Sequence, residues 1–133
     1  VMTAWNKKSG RESICGKSDA RDVENGIASG DEQCILAQEM YTQKVANYIA
    51  MYNNELGGAD VIVLTAGLGE NSKQTRADIL EKVASLGIKL DPAKNDFRGE
   101  FRLISADDSS IPVYVIPTNE ELMIALDTYE LVK

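Results

Sequence analysis

The 133 residues fit one domain of ordinary size, and 44% of them are apolar, which supplies a real core and excludes a disordered composition. A formal net charge of −7 repels nucleic-acid phosphates and gives no basis for a nucleic-acid partner, whereas a single nucleotide is held by local donors and is not excluded by bulk charge. The absence of histidine removes imidazole acid–base chemistry and most zinc sites, and the two cysteines, Cys15 and Cys34, are not spaced as a metal site.

Met2 follows Val1, as in a chain that begins mid-sequence, and the opening residues lack the apolar block of a signal peptide. The longest apolar run, around Val61 to Leu64, is far too short to cross a bilayer, so no membrane partner is expected. Two cysteines in a chain of this length fit a reducing cytosol, where buried free thiols or a mutual disulfide are both compatible with the spacing. No internal repeat is visible.

Residues 1–28 read as loop with, at most, a short helix near Asp19 to Glu24, and residues 29–133 as an α/β core. Ser29 and Glu32 form a capping box for a helix over residues 31–56. Ile35, Leu36, Met40, Val45, Ile49, Tyr52 and Leu56 recur along it at helical spacing, and Gly57-Gly58 stops it. Asp60 to Thr65 predicts a strand buried on both faces. Ala66 to Asn71 then turns the chain into a helix capped by Ser72 or Asn71, which runs to about Leu86 and is closed by Gly87. Ile88 to Pro92 is extended, since proline disfavours helix at the preceding residue. Phe101 to Ser105 and Ile111 to Ile116 predict a hairpin across the five-residue connection Ala106-Asp107-Asp108-Ser109-Ser110. Pro112 belongs where no ladder donor is needed. After Pro117, Thr118 and Glu121 form a second capping box, and a final helix from Asn119 buries Leu122, Ile124 or Ala125, and Leu131. The pattern is α/β with a small central sheet and flanking helices, and three strands are few for so many helices.

Three stretches can carry chemistry. Thr65-Ala66-Gly67-Leu68-Gly69-Glu70-Asn71-Ser72 leaves a buried strand and opens a helix, where glycines let a ligand approach the main chain and unpaired N–H groups favour anions. A tight connection that merely needs glycine accounts for the same spacing. The dinucleotide fingerprint would want glycine where Ser72 stands, and the phosphate-loop lysine is absent. Ser18-Asp19-Ala20-Arg21-Asp22 offers a guanidinium fork for phosphate or base, and equally a solvated helix start. In Pro117-Thr118-Asn119-Glu120-Glu121, Glu120 is left over from the capping box; it suits a hard cation such as Mg2+ or a favourable charge at the helix dipole.

Together with Asn6-Lys7-Lys8-Ser9-Gly10, Leu56-Gly57-Gly58-Ala59-Asp60, Leu86-Gly87-Ile88 and Leu90-Asp91, these stretches resemble the acetate and propionate kinase family in order and spacing. The resemblance covers essentially the whole chain but only the last third or so of a family member. It implies the C-terminal part of the nucleotide-binding domain of the actin-like, sugar kinase and Hsp70 ATPase (ribonuclease H-like) fold, in a cytoplasmic homodimer. It further implies reversible phosphorylation of acetate by ATP to give acetyl phosphate and ADP, with Mg2+. Asp19, Ala20 and Arg21 would belong to the ATP/ADP site, Gly67, Leu68, Gly69, Glu70 and Asn71 would hold the nucleoside end, and Glu120 would be the metal-linked carboxylate.

The chain departs from the family where Ala20 replaces a larger apolar residue and Leu68 a frequent isoleucine. Glu12 to Lys17, including Cys15, is polar where the family is often glycine-rich and apolar. The family's amino-terminal phosphate loop, acetate pocket, catalytic aspartate, histidine and arginine have no counterpart here. The acetate contact therefore falls outside the chain, no catalytic residue is assigned within it, and the chain by itself is expected to be inactive and to bind ATP weakly. The family's final helix packs towards the first domain, so Leu122, Ile124 and their neighbours are expected to be exposed here and to favour association. A non-catalytic binding domain that reuses the fold is the reading from a different class, and a dinucleotide-binding domain a more distant one.

Overall fold

The computed structural model describes residues 2–3 and 8–133. Val1, together with Asn6 and Lys7 of the first family-like stretch, lies outside the described residues. From Arg11 onward the helices α1 (Arg11–Cys15), α2 (Ala20–Ala28) and α3 (Glu32–Glu55) come first. They are followed by β1 (Ile62–Leu64), α4 (Ala66–Asn71), α5 (Lys73–Lys82), a 3-10 turn (Ala84–Leu86), β2 (Arg102–Leu103), β3 (Val113–Val115) and α6 (Glu120–Val132).

The sheet has the order β1-β3-β2. β1 runs parallel to β3, with Ile62 opposite Val113 and Leu64 opposite Val115. β2 pairs antiparallel with β3, placing Leu103 opposite Tyr114, which is the expected hairpin. Pro112 offers only its carbonyl, accepting from the Ile62 N–H at 3.0 Å, so its missing donor costs nothing. One face of this sheet makes the core: Ile62, Leu64, Val113 and Val115 meet Ile104, Ile111, Ile88, Leu80 and Val83, with Ala46 of α3. Each such aliphatic side chain contributes about 1.5–3 kcal/mol when fully buried, so this face dominates the stability of the sheet. Val63 is 43% exposed, and β1 therefore buries one face rather than the expected two.

The first 28 residues hold more helix than their composition suggests. Asp19 caps α2 by accepting from the Arg21 N–H at 2.8 Å, and Val23 and Gly26 press α2 onto α3. A Cβ on Gly26 would stand 2.3 Å from Cys34 Sγ, so only glycine permits that approach. The cap of α3 is Asp31 rather than Ser29: its Oδ1 accepts from the Gln33 and Cys34 N–H groups, while Ser29 ends α2. The buried face of α3 follows the apolar stripe only in part, with Val45 and Ile49 half-buried and Ile49 packed against the core. Cys34, Ala37, Gln38, Thr42 and Ala46 are buried; the cysteine and alanines suit close packing against α1, α2 and α5, and Gln38 donates to Thr75 and Asp78 of α5. Ile35, Leu36, Met40, Tyr52 and Leu56 are exposed.

Ser72 caps α5 as expected, its Oγ accepting from the Thr75 N–H at 3.1 Å, and Gly87 closes the following turn in the left-handed conformation. The segment expected as an irregular turn, Ala66 to Asn71, is a short helix. At the far end, Asn119 rather than Thr118 caps α6, with Oδ1 accepting from the Leu122 N–H at 3.0 Å. None of α6 is buried: Leu122 is 50%, Ile124 66% and Leu131 87% exposed. Its apolar residues are spread around the helix, and all of them are exposed.

Candidate functional site

The site is built on the turn that leaves β1. Thr65 stays extended, and Ala66 then adopts φ +60°, a left-handed conformation that costs a residue with a Cβ on the order of 1–2 kcal/mol. That reversal turns the chain into α4 over the end of the strand. Gly69 packs directly on β1, where a Cβ would lie 3.1 Å from the Leu64 carbonyl carbon, while a Cβ on Gly67 would meet nothing within 4 Å. The two glycines therefore differ in role. Gly69 seats the helix on the sheet, and Gly67 leaves its outer surface bare.

Two clefts meet at that bare surface. The first, of about 280 Å³, is lined by Asp19, Ala20 and Arg21 from the start of α2, by Gly67, Leu68, Asn71 and Ser72, and by Glu24 and Arg98. The second, of about 360 Å³, is lined by Ala66, Gly67, Thr118, Asn119, Glu120 and Glu121. Gly67 belongs to both. Thus Asp19, Ala20, Arg21, Gly67, Leu68 and Asn71 share one cleft, and Glu120 lies in the adjoining one.

Gly69 and Glu70 stand outside both linings. The Glu70 carboxylate turns to the segment before α6, accepting from the Thr118 N–H at 2.9 Å and the Thr118 hydroxyl at 3.0 Å. These donors, with the backbone N–H first in importance, hold its carboxyl below the ordinary value of 4.5. The Thr65 hydroxyl completes the connection by donating to the Ile116 carbonyl at 2.8 Å. Glu70 thus fixes the second cleft's two walls to each other, as Gly69 fixes the first cleft's floor to the sheet.

Charge is distributed unevenly around the first cleft. Arg21 is forked onto Asp19, with Nε to Oδ1 at 3.1 Å and Nη2 to Oδ2 at 2.8 Å, and this hydrogen bonding lowers the Asp19 carboxyl to about 2. Across the cleft, Asn71 joins its donor amide to the Gly67 carbonyl at 2.9 Å and accepts from Arg98 Nε at 3.1 Å. Ser72 donates to Glu24 at 2.5 Å, closing the cleft at its deep end. The arrangement is a glycine-floored groove with a guanidinium at each lip.

Behind the groove lies a fully buried cation that sequence reasoning missed. Arg76 of α5 donates to Asn95 Oδ1 at 2.6 Å, to the Asn95 and Phe97 carbonyls at 2.9 and 3.0 Å, and to the Gly69 and Glu70 carbonyls at 3.0 and 3.1 Å. All donors of the guanidinium are used without any carboxylate partner. The last two acceptors are carbonyls at the end of α4, so Arg76 caps the helix that carries Gly67. Arg98 and Glu24 were also not anticipated as linings of the cleft. Arg98 sits in a polar segment with no periodic pattern, and a helix start reading Lys73-Gln74-Thr75-Arg76 looks solvated rather than buried.

No cluster of three or more histidine, cysteine or acidic side chains suited to a metal occurs among the described residues. Glu120 and Glu121 nevertheless offer carboxylate oxygens beside a groove, which fits a hard cation that keeps most of its water and takes its remaining ligands from a bound phosphate. Among the described residues, no helix is long and apolar enough to cross a membrane.

The profile of the acetokinase family matches residues 1–126. An acetate kinase of Limosilactobacillus fermentum is 53% identical over 134 aligned residues, covering 100% of this chain and 34% of that protein. The crystal structure of Porphyromonas gingivalis acetate kinase superposes with a TM-score of 0.89 at 39% identity, over 99% of this chain and 34% of the other. A propionate kinase of Francisella tularensis superposes with a TM-score of 0.86, also at 39% identity, over 93% of this chain and 32% of the other. The chain thus spans about a third of the length of the curated relatives that it matches.

Proposed function

The chain belongs to the acetokinase family and carries part of its actin-like ATPase fold, and from that premise we propose that it supplies the nucleotide-binding wall of an acetate kinase, the C-terminal part of its nucleotide-binding domain. The reaction is reversible transfer of the terminal phosphoryl group of ATP to acetate, giving acetyl phosphate and ADP. The observation that carries this reading is Gly67, the common lining of the two clefts. A nucleotide lying along the groove would keep its base and ribose among Asp19, Ala20, Arg21, Leu68, Asn71 and Arg98. Its phosphates would then pass over the bare Gly67 backbone towards Glu120.

Each residue has a defined task in this arrangement. Asp19 holds Arg21 by two hydrogen bonds, so the guanidinium is fixed in place before a nucleotide arrives. Gly67 presents backbone without a side chain, which allows close approach. Asn71 joins the Gly67 carbonyl to Arg98 and so couples floor to lip. Gly69, Glu70 and Arg76 position the groove from behind. Glu120 and Glu121 are the residues that would hold Mg2+ with a nucleotide phosphate, and the ion would neutralise charge on the phosphate oxygens. Phosphoryl transfer is mostly positioning and charge neutralisation, and it requires an acceptor pocket and a cationic clamp facing this wall. We assign those to the two thirds of its relatives' length that the chain does not cover.

The 133-residue chain alone is therefore expected to bind ADP and ATP weakly, with a Kd on the order of 1 mM, and to give no acetate-dependent turnover above background. Calorimetry and a coupled assay on a contaminant-free sample test both points. Affinity in the micromolar range or tighter, or measurable turnover, would refute the division of labour. The likeness to a propionate kinase supports a second reading with propionate as acceptor, which the ratio of kcat/KM values for the two acids in the whole enzyme decides. The family reading also implies a cytoplasmic homodimer of the whole enzyme; in the chain alone the exposed apolar residues of α6 are expected to favour association, which sedimentation at high concentration tests.

A further inference from the structure

Cys15 and Cys34 lie on different helices yet converge on Lys17. The Lys17 ammonium donates to Cys34 Sγ at 3.1 Å and to Asp31 Oδ2 at 2.8 Å. The Cys15 thiol lies against the Lys17 carbonyl at 3.7 Å and the Arg11 carbonyl at 3.3 Å. The Cys34 thiol itself donates to Asp31 Oδ2 at 3.3 Å, and both cysteines are free thiols. Their accessibility differs: Cys34 is 0% exposed, whereas Cys15, at the end of α1, is only partly covered. Gly26 leaves the Cys34 sulfur its space, and a hollow of about 330 Å³ lined by Lys17, Asp22, Asn25, Gly26 and Ser29 opens beside the lysine. None of these groups is used by the nucleotide site, and their arrangement is that of a dithiol with a cation beside its inner sulfur.

We propose that Cys15 and Cys34 form an oxidisable dithiol site, which a hydroperoxide converts into an intrachain disulfide joining α1 to α3.

The Cys15 sulfur, the more open of the two, attacks one oxygen of hydrogen peroxide. The O–O bond breaks, Cys15 becomes a sulfenic acid, and the other oxygen leaves as water with the thiol proton. The Cys34 sulfur then attacks the Cys15 sulfur. The S–O bond breaks, and the departing hydroxide takes the Cys34 proton and leaves as a second water. Two electrons have passed from the thiol pair to the peroxide, and the balance needs no other reagent. Lys17 favours negative charge on the Cys34 sulfur as its proton leaves, against the burial that pushes this thiol up. The disulfide would enclose residues 16–33, including Asp19, Ala20 and Arg21. Its reach therefore extends to one wall of the first cleft.

The test exposes the reduced chain to one equivalent of hydrogen peroxide and follows intact mass, mapped peptides and sedimentation. The expected product is lighter by two hydrogen atoms, contains a peptide linking Cys15 to Cys34, sediments like the untreated chain and reverts with dithiothreitol. Cys15→Ser is expected to abolish the mass loss, and Cys34→Ser to stop at a sulfenic acid on Cys15 that dimedone traps. Lys17→Met keeps the apolar stem and leaves both sulfurs in place; it is expected to slow closure about tenfold, which keeps the proposal testable should the Cys34 variant not fold. Oxygen added to Cys15 with Cys34 still a thiol, a bridge between two chains, an oxygen-linked Lys17–Cys34 adduct, or no reaction would each overturn the proposal.

Discussion

Replacing Arg76 with methionine removes the guanidinium while keeping an unbranched apolar stem of similar reach. Five hydrogen bonds disappear, of which the two to Asn95 Oδ1 and the Asn95 carbonyl lie wholly in the interior. Each buried acceptor left without a donor costs about 1–3 kcal/mol, and the three part-buried acceptors can be rewetted at little cost. Against this stands the relief of no longer burying an unpaired cation, whose charged form burial disfavours. The net expectation is a loss of about 3 kcal/mol, more than a hundredfold in the folding equilibrium, and a Tm lower by roughly 10 °C for a chain of this size. Arg76→Lys retains charge but not the fork, and is expected to lose about half as much. Urea and thermal unfolding followed by circular dichroism measure both variants. The released Gly69 and Glu70 carbonyls should also loosen α4, so ADP affinity is expected to fall at temperatures where the variant remains folded. A Tm within about 2 °C of the parent for Arg76→Met would refute the claim that this side chain holds the nucleotide turn.

Three further expectations follow from the same coordinates. Gly26→Ala places a Cβ 2.3 Å from Cys34 Sγ and 3.0 Å from Cys34 Cβ; α2 must shift off α3, with a loss of about 2–3 kcal/mol in urea unfolding. The Glu70 carboxyl is depressed chiefly by the Thr118 N–H, so its contribution is fully present above the ordinary value of 4.5 and is lost as pH falls through the lowered folded value. Glu70→Gln is accordingly expected to flatten the loss of stability between neutral pH and about pH 3, and an unchanged acid limb would show that the Thr118 contact contributes nothing. Glu120→Gln is expected to weaken ADP binding roughly tenfold with Mg2+ present and to leave it unchanged with chelator. Equal effects in both buffers would remove the metal assignment.

The parts of the molecule legible in the sequence are those whose signals are local. The helix across Glu32 to Glu55, the Ser72 cap, the Gly87 stop and the antiparallel pairing of β2 with β3 all follow from caps, periods and turn residues within a few positions of themselves. Partner choice is different. Leu36 and Met40 look like members of a core face, yet they lie opposite the buried side of α3, where Cys34 and Ala37 are small enough for neighbouring helices to approach. The same limit applies to the site. The glycine turn and the Asp19 to Arg21 stretch were visible as motifs, and Glu120 as a carboxylate surplus to its cap. Arg98 and Arg76 were not, because one reaches the cleft from an irregular segment and the other is buried by contacts that are all long in sequence or made to carbonyls. Glu70, read as part of the nucleotide turn, is also tied to Thr118 across 48 positions, a contact that no local signal announces.

The account rests on the two clefts that meet at Gly67 forming a single site, and a titration of the chain with MgADP followed by backbone amide resonances tests this most directly. Residues 19–21, 67–71, 98 and 118–121 are expected to shift together and to saturate along one binding curve. Shifts confined to one of the two clefts, or two curves with different midpoints, would contradict it.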